Sequence, residues 1–126
     1  MRTVIIDTNF LMLPSQFKID IFTEINKLLF ERYELCIVEG SIRELQDIAK
    51  SGKMVDRLAA KVALALVEKK NLKILSEEEP KVDDEITRLS HSGVIVATND
   101  MALKRRVISK GANIITLRQM KYLVLQ

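Results

Sequence analysis

Short apolar runs alternate with stretches of helical periodicity along the chain. The apolar runs predict strands, and the stretches with apolar residues three or four positions apart predict amphipathic helices between them. The predicted strands span 3–6, 35–38, 72–75, 94–97 and 113–116. The predicted helices span 19–30, a segment beginning at about Ser41, 54–68, 82–89 and 101–109. The spacing of apolar residues in 117–126 fits neither period, so no element is predicted there.

Strands that are apolar on both faces and alternate with helices are typical of a parallel sheet covered on both sides. We therefore predict an α/β fold, a three-layer α/β/α arrangement with a central parallel sheet of about five strands. At 126 residues the chain is long enough for one core, and 1–126 is expected to form a single domain. Functional sites in such sheets form at the carboxyl ends of the strands.

Acidic residues stand at these strand ends. Asp7 follows the first predicted strand, and Glu44 lies in the first turns of the helix after the second. Asp83 and Asp84 begin the helix reached after the third strand, and Asp100 follows the fourth. Because parallel strands present their carboxyl ends at one edge, we expect all of these carboxylates to lie at the same edge of the sheet.

Carboxylates gathered within a few ångströms repel one another unless some are protonated or a cation joins them. Oxygen ligands suit Mg²⁺ or Mn²⁺, which can activate water for displacement at a phosphoryl group. Each acid also has a structural interpretation: Asp83 and Asp84 suit a helix N-terminus, and Glu44 suits a capping box with Ser41. Asp7 and Asp100 end apolar strands, where an unused charge is costly.

The charge balance adds a candidate substrate class. The net charge is +3, from 20 basic and 17 acidic residues, and setting aside four clustered acids leaves 13 acidic residues on the remaining surface. A basic surface around an acidic pocket suits a polyanion, and Lys104, Arg105 and Arg106 are candidate RNA contacts. The other interpretation of these three residues is a solvated helix face.

Composition restricts the cellular setting. Hydrophobic residues make up 48% of the chain and charged residues 29%, as in soluble globular proteins. No apolar run approaches the roughly 20 residues that cross a bilayer, and no signal peptide is recognised before the first strand. The single Cys36 lies in an apolar run and is expected to be buried and reduced. A cytoplasmic location is therefore expected.

Other functional motifs are weak or absent. The four glycines match neither a dinucleotide fingerprint nor a phosphate loop. His91, the only histidine, is expected to be exposed near a helix end, and no Ser or Cys nucleophile has a plausible histidine partner. Asp7 is followed by Thr8 and Asn9, without the acidic pair of a receiver domain. Aromatic residues make up 5% of the chain, so no platform for stacking bases is evident.

The order of the motifs resembles the PIN-domain ribonucleases over almost the whole chain. The resemblance is carried by Asp7-Thr8-Asn9, the helix-borne Glu44, Val82-Asp83-Asp84 and Thr98-Asn99-Asp100. The sequence looks closest to the branch that contains the endonuclease of the small-subunit processome, in a compact form of the kind expected from an archaeon.

This resemblance implies that Asp7, Glu44, Asp83 and Asp100 hold Mg²⁺ or Mn²⁺. It also implies that Asn9 and Thr98 orient the acids or the attacking water, with Asp84 assisting. The implied activity is endonucleolytic cleavage of single-stranded or looped RNA, in ribosomal RNA maturation together with assembly factors.

Three alternatives stay open at the level of sequence. The first is a VapC-type toxin ribonuclease silenced by an antitoxin. The second is a catalytically silent RNA-binding scaffold, and the third is a metal-dependent enzyme acting on a small phosphorylated molecule. A homodimer formed through the apolar helix 54–68 is a further candidate, although packing of that helix on the domain's own core explains its pattern better.

Overall fold

The computed structural model describes residues 1–126, in which six strands alternate with six α-helices. A 3-10 turn at Phe10–Met12 precedes the first helix. The elements are β1 (Arg2–Ile6), α1 (Leu13–Phe17), α2 (Ile21–Leu28), β2 (Tyr33–Val38), α3 (Glu39–Ser51), α4 (Met54–Lys69), β3 (Lys73–Leu75), α5 (Val82–Leu89), β4 (Val94–Ala97), α6 (Met101–Ser109), β5 (Asn113–Arg118) and β6 (Tyr122–Leu125).

The strands form one sheet in the order β3-β2-β1-β4-β5-β6. The first five strands are parallel, and β6 runs antiparallel to β5 at the edge. The chain leaves β1 for β2 on one side and returns to β4 on the other, so β1 lies at the point where the strand order reverses. Ligands bind preferentially at such switch points, and Asp7 directly follows β1.

Side chains alternate across the sheet into two separate cores. Val4 and Ile6 of β1 belong to a cluster of 21 buried residues with α1, α2 and α4, whereas Ile5 belongs to a cluster of 11 with α5 and α6. The sheet is therefore covered by helices on both faces. This arrangement confirms the predicted three-layer α/β fold.

The segment between β1 and β2 contains structure that its sequence did not predict. Phe10, Leu11 and Met12 are buried in the 3-10 turn, and α1 follows with Pro14 in its first turn. A run this short shows no clear period, so packing against α4 decides its conformation. The helix predicted over 19–30 is shorter, because Asp20 caps α2 by accepting a hydrogen bond from the Thr23 N–H at 3.1 Å.

The ambiguous segment 117–126 completes the sheet. It extends β5 and then turns back as β6, which pairs Ile115 with Leu125 and Arg118 with Tyr122. Cys36 is fully buried and His91 is exposed, as predicted. None of the helices has the length and apolar character that crossing a membrane requires.

Candidate active site

Asp7 is the buried centre of the candidate site, at 7% exposure. The Thr98 hydroxyl donates a hydrogen bond to its Oδ2 at 2.7 Å, and the Thr8 N–H donates to its Oδ1 at 2.9 Å. Burial, helped by the nearby charges of Asp83 and Asp100 and opposed by the two hydrogen bonds, raises the pKa of Asp7 from 3.8 to about 6. The fold thus holds a carboxylate where its negative charge is unfavourable.

Thr98 connects Asp7 with Asp100. The Asp100 N–H donates to the Thr98 hydroxyl at 3.0 Å, so one buried threonine contacts both acidic residues. The Asp100 side chain also caps α6, because its Oδ1 accepts a hydrogen bond from the Leu103 N–H at 2.9 Å. The capping role and a place in the acidic site are therefore compatible in the same residue.

Asp83 lies in the first turn of α5 and faces the same site. Partial burial raises its pKa, the charge of Asp100 raises it further, and Arg106 lowers it. The structure therefore brings Asp7, Asp83 and Asp100 within electrostatic reach of one another. The neighbouring Asp84 turns to Arg106, whose Nη2 donates to its Oδ1 at 2.8 Å in a half-exposed ion pair.

Glu44 reaches the site through Thr8. The Thr8 hydroxyl donates to the Glu44 Oε1 at 2.6 Å and lies 2.7 Å from the Ser41 hydroxyl. The predicted capping box is wrong, because α3 begins at Glu39 directly after β2 and places the buried Ser41 inside the helix. The two hydroxyls instead connect the first turns of α3 to the end of β1.

Two clefts flank this group of acids. One, of about 430 Å³, is lined by Glu44 and Asp83 together with Arg43 and Lys81. The other, of about 300 Å³, is lined by residues that include Asp7, Asn9, Asn99 and Asp100. The acids therefore lie along two neighbouring depressions of the surface. Asp83 lines the larger depression and Asp7 lines the smaller one.

The remaining predicted residues differ in their surroundings. Asn9 is exposed and lines the second cleft, but its side chain makes no hydrogen bond to any of the candidate acids. Arg105 is exposed and takes part in no ion pair, whereas Arg106 is occupied by Asp84. Two positioning residues were not predicted for these contacts: Thr8, described above, and Asn99, which accepts hydrogen bonds from β5.

The donor chemistry of the site fits a hard divalent cation. Every candidate ligand is a carboxylate oxygen, and a buried carboxylate that two others repel is stabilised by a cation. No three Asp, Glu, His or Cys side chains lie close enough together in this structure to ligate one ion. Mg²⁺ commonly takes only one or two carboxylates and keeps several waters, which suits this spacing.

Comparisons with known proteins agree with one another. The family model described as "PIN like domain" matches residues 4–120. Ribonuclease VapC4 of Methanocaldococcus jannaschii is 32% identical over 97% of this chain and 95% of its own length. Ribonuclease VapC9 of Archaeoglobus fulgidus is 28% identical over 95% of this chain and 86% of its own length.

Solved structures extend the likeness to three dimensions. The structure of the PIN domain endonuclease Utp24 superposes with a TM-score of 0.77 at 26% identity, covering 98% of this chain and 90% of that one. The structure of VapBC-1 from nontypeable Haemophilus influenzae gives a TM-score of 0.58 at 14% identity, covering 87% and 96%. At that identity the second likeness concerns the fold alone.

Proposed function

Because this chain belongs to the PIN-domain ribonuclease family, we propose that it is an endoribonuclease whose cleavage of single-stranded or looped RNA depends on Mg²⁺ or Mn²⁺. The observation that carries the proposal is the burial of Asp7 at the switch point of the sheet, within reach of Asp83 and Asp100. Repulsion between these carboxylates lowers the stability of the fold, and carboxylates with pKa values perturbed in this way are concentrated at functional sites.

In this proposal the acidic side chains bind the cation and two threonines position them. Of Asp7, Asp83 and Asp100, one or two would ligate the cation directly and the others would reach it through its waters, with Glu44 as the fourth acid on the side of the larger cleft. Thr98 fixes one Asp7 oxygen, and Thr8 fixes one Glu44 oxygen. A divalent cation bound there supplies charge neutralisation and activates a water for in-line displacement at phosphorus.

The shape of the site favours a polymer as substrate. The two clefts lie on either side of the acids, and Arg43 and Lys81 line the larger one, where they offer positive charge to a phosphate. A small phosphorylated molecule would suit one enclosed pocket between the acids. A strand that passes from one depression to the other would place a phosphodiester over Asp7.

The biological setting has two candidates. The likeness to the PIN domain endonuclease Utp24 supports a role in RNA processing, which we extend to ribosomal RNA maturation with assembly factors as partners. The 32% identity to a VapC ribonuclease favours a toxin as the second candidate, with an antitoxin as partner. Expression in a host cell separates them, because a toxin arrests growth unless the antitoxin is present.

The decisive experiment compares the wild type with Asp7→Asn on an end-labelled RNA that contains a loop. Cleavage in Mg²⁺ or Mn²⁺, its loss in chelator and a decrease of at least about a hundredfold in the variant are expected, the scale for removing transition-state electrostatics. Asp56→Asn on α4, outside both clefts, is the matched control and should cleave normally. Equal cleavage by wild type and Asp7→Asn would refute the proposal.

A further inference from the structure

The hairpin of β5 and β6 is tied to the acidic site by Asn99. The Asn99 Oδ1 accepts hydrogen bonds from the Thr116 hydroxyl at 2.7 Å and from the Leu117 N–H at 2.9 Å. Asn99 precedes Asp100 in the loop between β4 and α6 and lines the same cleft as Asp7. The position of the hairpin is therefore fixed relative to the acids.

The turn of this hairpin has an unusual backbone. Gln119 and Met120 have φ angles of 53° and 55°, so two consecutive residues with side chains occupy the left-handed region. That conformation is uncommon for bulky residues and disfavoured by roughly 1 kcal/mol or more at each. The Lys121 N–H donates to the Arg118 carbonyl at 3.0 Å, so this is the primed turn that matches the twist of a tight hairpin, and Met120 is 66% exposed at its tip.

The strand register decides which hairpin side chains share a face. Arg118 pairs directly with Tyr122, and residues opposite each other in an antiparallel pair project to the same side. Leu117 and Leu123 project to the other side, into the core that contains α2 and α4. Arg118 and Tyr122 therefore lie on the α6 side of the sheet, and Tyr122 is 42% exposed.

Lys104 on α6 is a second cation, on the same side of the sheet as Arg118 and Tyr122. This placement follows because α6 packs against β5, which ends at Arg118, and there partial burial and then the charge of Arg118 lower the pKa of Lys104. Neither has an acidic partner within 4 Å, whereas the nearby Arg106 is paired with Asp84. Two adjacent cations without a counter-charge form a favourable position for an anion.

We propose that Lys104 and Arg118 together bind one phosphate of the RNA strand and that the Tyr122 ring stacks on a neighbouring base. The inference rests on the proposed function, because it takes the polymer to be single-stranded RNA. Arg and Lys are common phosphate contacts, and exposed aromatic rings carry unpaired bases in RNA recognition. The hairpin then extends the substrate groove from Asp100 along the edge of the sheet.

Binding tests this inference separately from cleavage. Fluorescence anisotropy of a 5′-labelled single-stranded RNA of about 12 nucleotides is measured in chelator at several salt concentrations, with its integrity checked on a gel. Lys104→Ala and Arg118→Ala should each reduce the slope of log affinity against log salt, and the double variant should reduce it by about 0.7, the value for one lost single-strand phosphate contact. Tyr122→Ala should weaken binding roughly tenfold, and Tyr122→Phe should bind as the wild type does.

Lys61→Ala is the matched control, since this exposed lysine lies on α4 at the opposite face of the sheet. An unchanged slope in Arg118→Ala, or an equal change in Lys61→Ala, overturns the proposal. Wild-type affinity in Tyr122→Ala overturns the stacking part. These results are independent of the Asp7→Asn cleavage assay, so failure of the hairpin inference and failure of the nuclease proposal are distinguishable.

Discussion

The ion pair between Glu85 and Arg88 holds the segment that leads into α5. The Glu85 carboxylate is fully buried and accepts hydrogen bonds from Arg88 Nε at 2.9 Å and from Arg88 Nη2 at 2.8 Å. It also accepts a hydrogen bond from the Glu79 N–H at 3.1 Å. Because Asp83 stands two residues before Glu85, this contact also fixes the turn of α5 that carries a candidate ligand.

Replacing Glu85 with glutamine keeps the shape of the side chain and removes its charge. The amide can still accept through its oxygen, but its NH₂ group then faces a guanidinium N–H in a position without solvent. One charge-assisted hydrogen bond is lost and one buried donor is left unpaired, so we expect a loss of about 2 kcal/mol in the free energy of unfolding. For a domain of this size that corresponds to roughly 6–8 °C in Tm.

The pH dependence of the free energy of unfolding distinguishes a loss of charge from a loss of packing in Glu85→Gln. The hydrogen bonds from Arg88 lower the pKa of Glu85 from 4.5 to about 2. A group whose pKa is depressed on folding stabilises the protein above its unfolded pKa and loses that contribution as the pH falls. The difference between wild type and Glu85→Gln should therefore be full at pH 7 and shrink towards zero between about pH 4.5 and pH 2.

Urea unfolding followed by circular dichroism at pH 7 and at pH 3 measures both quantities. The matched control is Glu78→Gln, which removes the exposed partner of the same arginine at 3.4 Å and should cost less than about 0.5 kcal/mol. A loss in Glu85→Gln that stays the same at both pH values would refute the reasoning, because it would then come from packing rather than from charge.

Two further predictions concern the contacts that position Glu44 and α3. Thr8→Val should destabilise the fold by about 1–2 kcal/mol and slow RNA cleavage, because Glu44 and the buried Ser41 lose a partner, whereas Thr8→Ser should restore both readouts. Gly40→Ala should cost about 1–3 kcal/mol in urea unfolding despite the better helix propensity of alanine, because its Cβ would lie 2.9 Å from the Glu77 carboxylate and 2.9 Å from the buried Val82 side chain. Gly93→Ala, which meets only an exposed imidazole that can rotate, should stay within about 0.5 kcal/mol of wild type.

The layer architecture and the edge of the candidate site could be predicted from the sequence because both depend on period and order alone. Val94–Ala97 is buried throughout, and such a run indicates a central parallel strand whatever its neighbours are. The direction of the strands then places Asp7 and Asp100 at one edge. The antiparallel β6 could not be predicted in this way, because the spacing of apolar residues in 117–126 fits neither the strand period nor the helix period.

The contacts that orient the acids depend on tertiary packing and could not be read from local patterns. Thr8 and Glu44 are 36 positions apart, and their hydrogen bond exists only because α3 starts immediately at the end of β2. The spacing of Ser41 and Glu44 matched a capping box, yet that motif requires Ser41 to stand outside the helix. A strand that continues into a helix without a loop removes that position.

The run Asp83-Asp84-Glu85 shows why residue type alone could not assign the site. Successive residues of a helix point about 100° apart, so three neighbouring acids face three different surroundings. Asp83 faces the other candidate ligands, Asp84 pairs with Arg106 at the surface, and Glu85 is buried against Arg88. The same geometry gives their pKa values different directions: repulsion and burial raise that of Asp83, whereas a guanidinium lowers that of Glu85. The carboxylate whose charge is destabilised by its surroundings is the one suited to a cation, and on α5 that carboxylate belongs to Asp83.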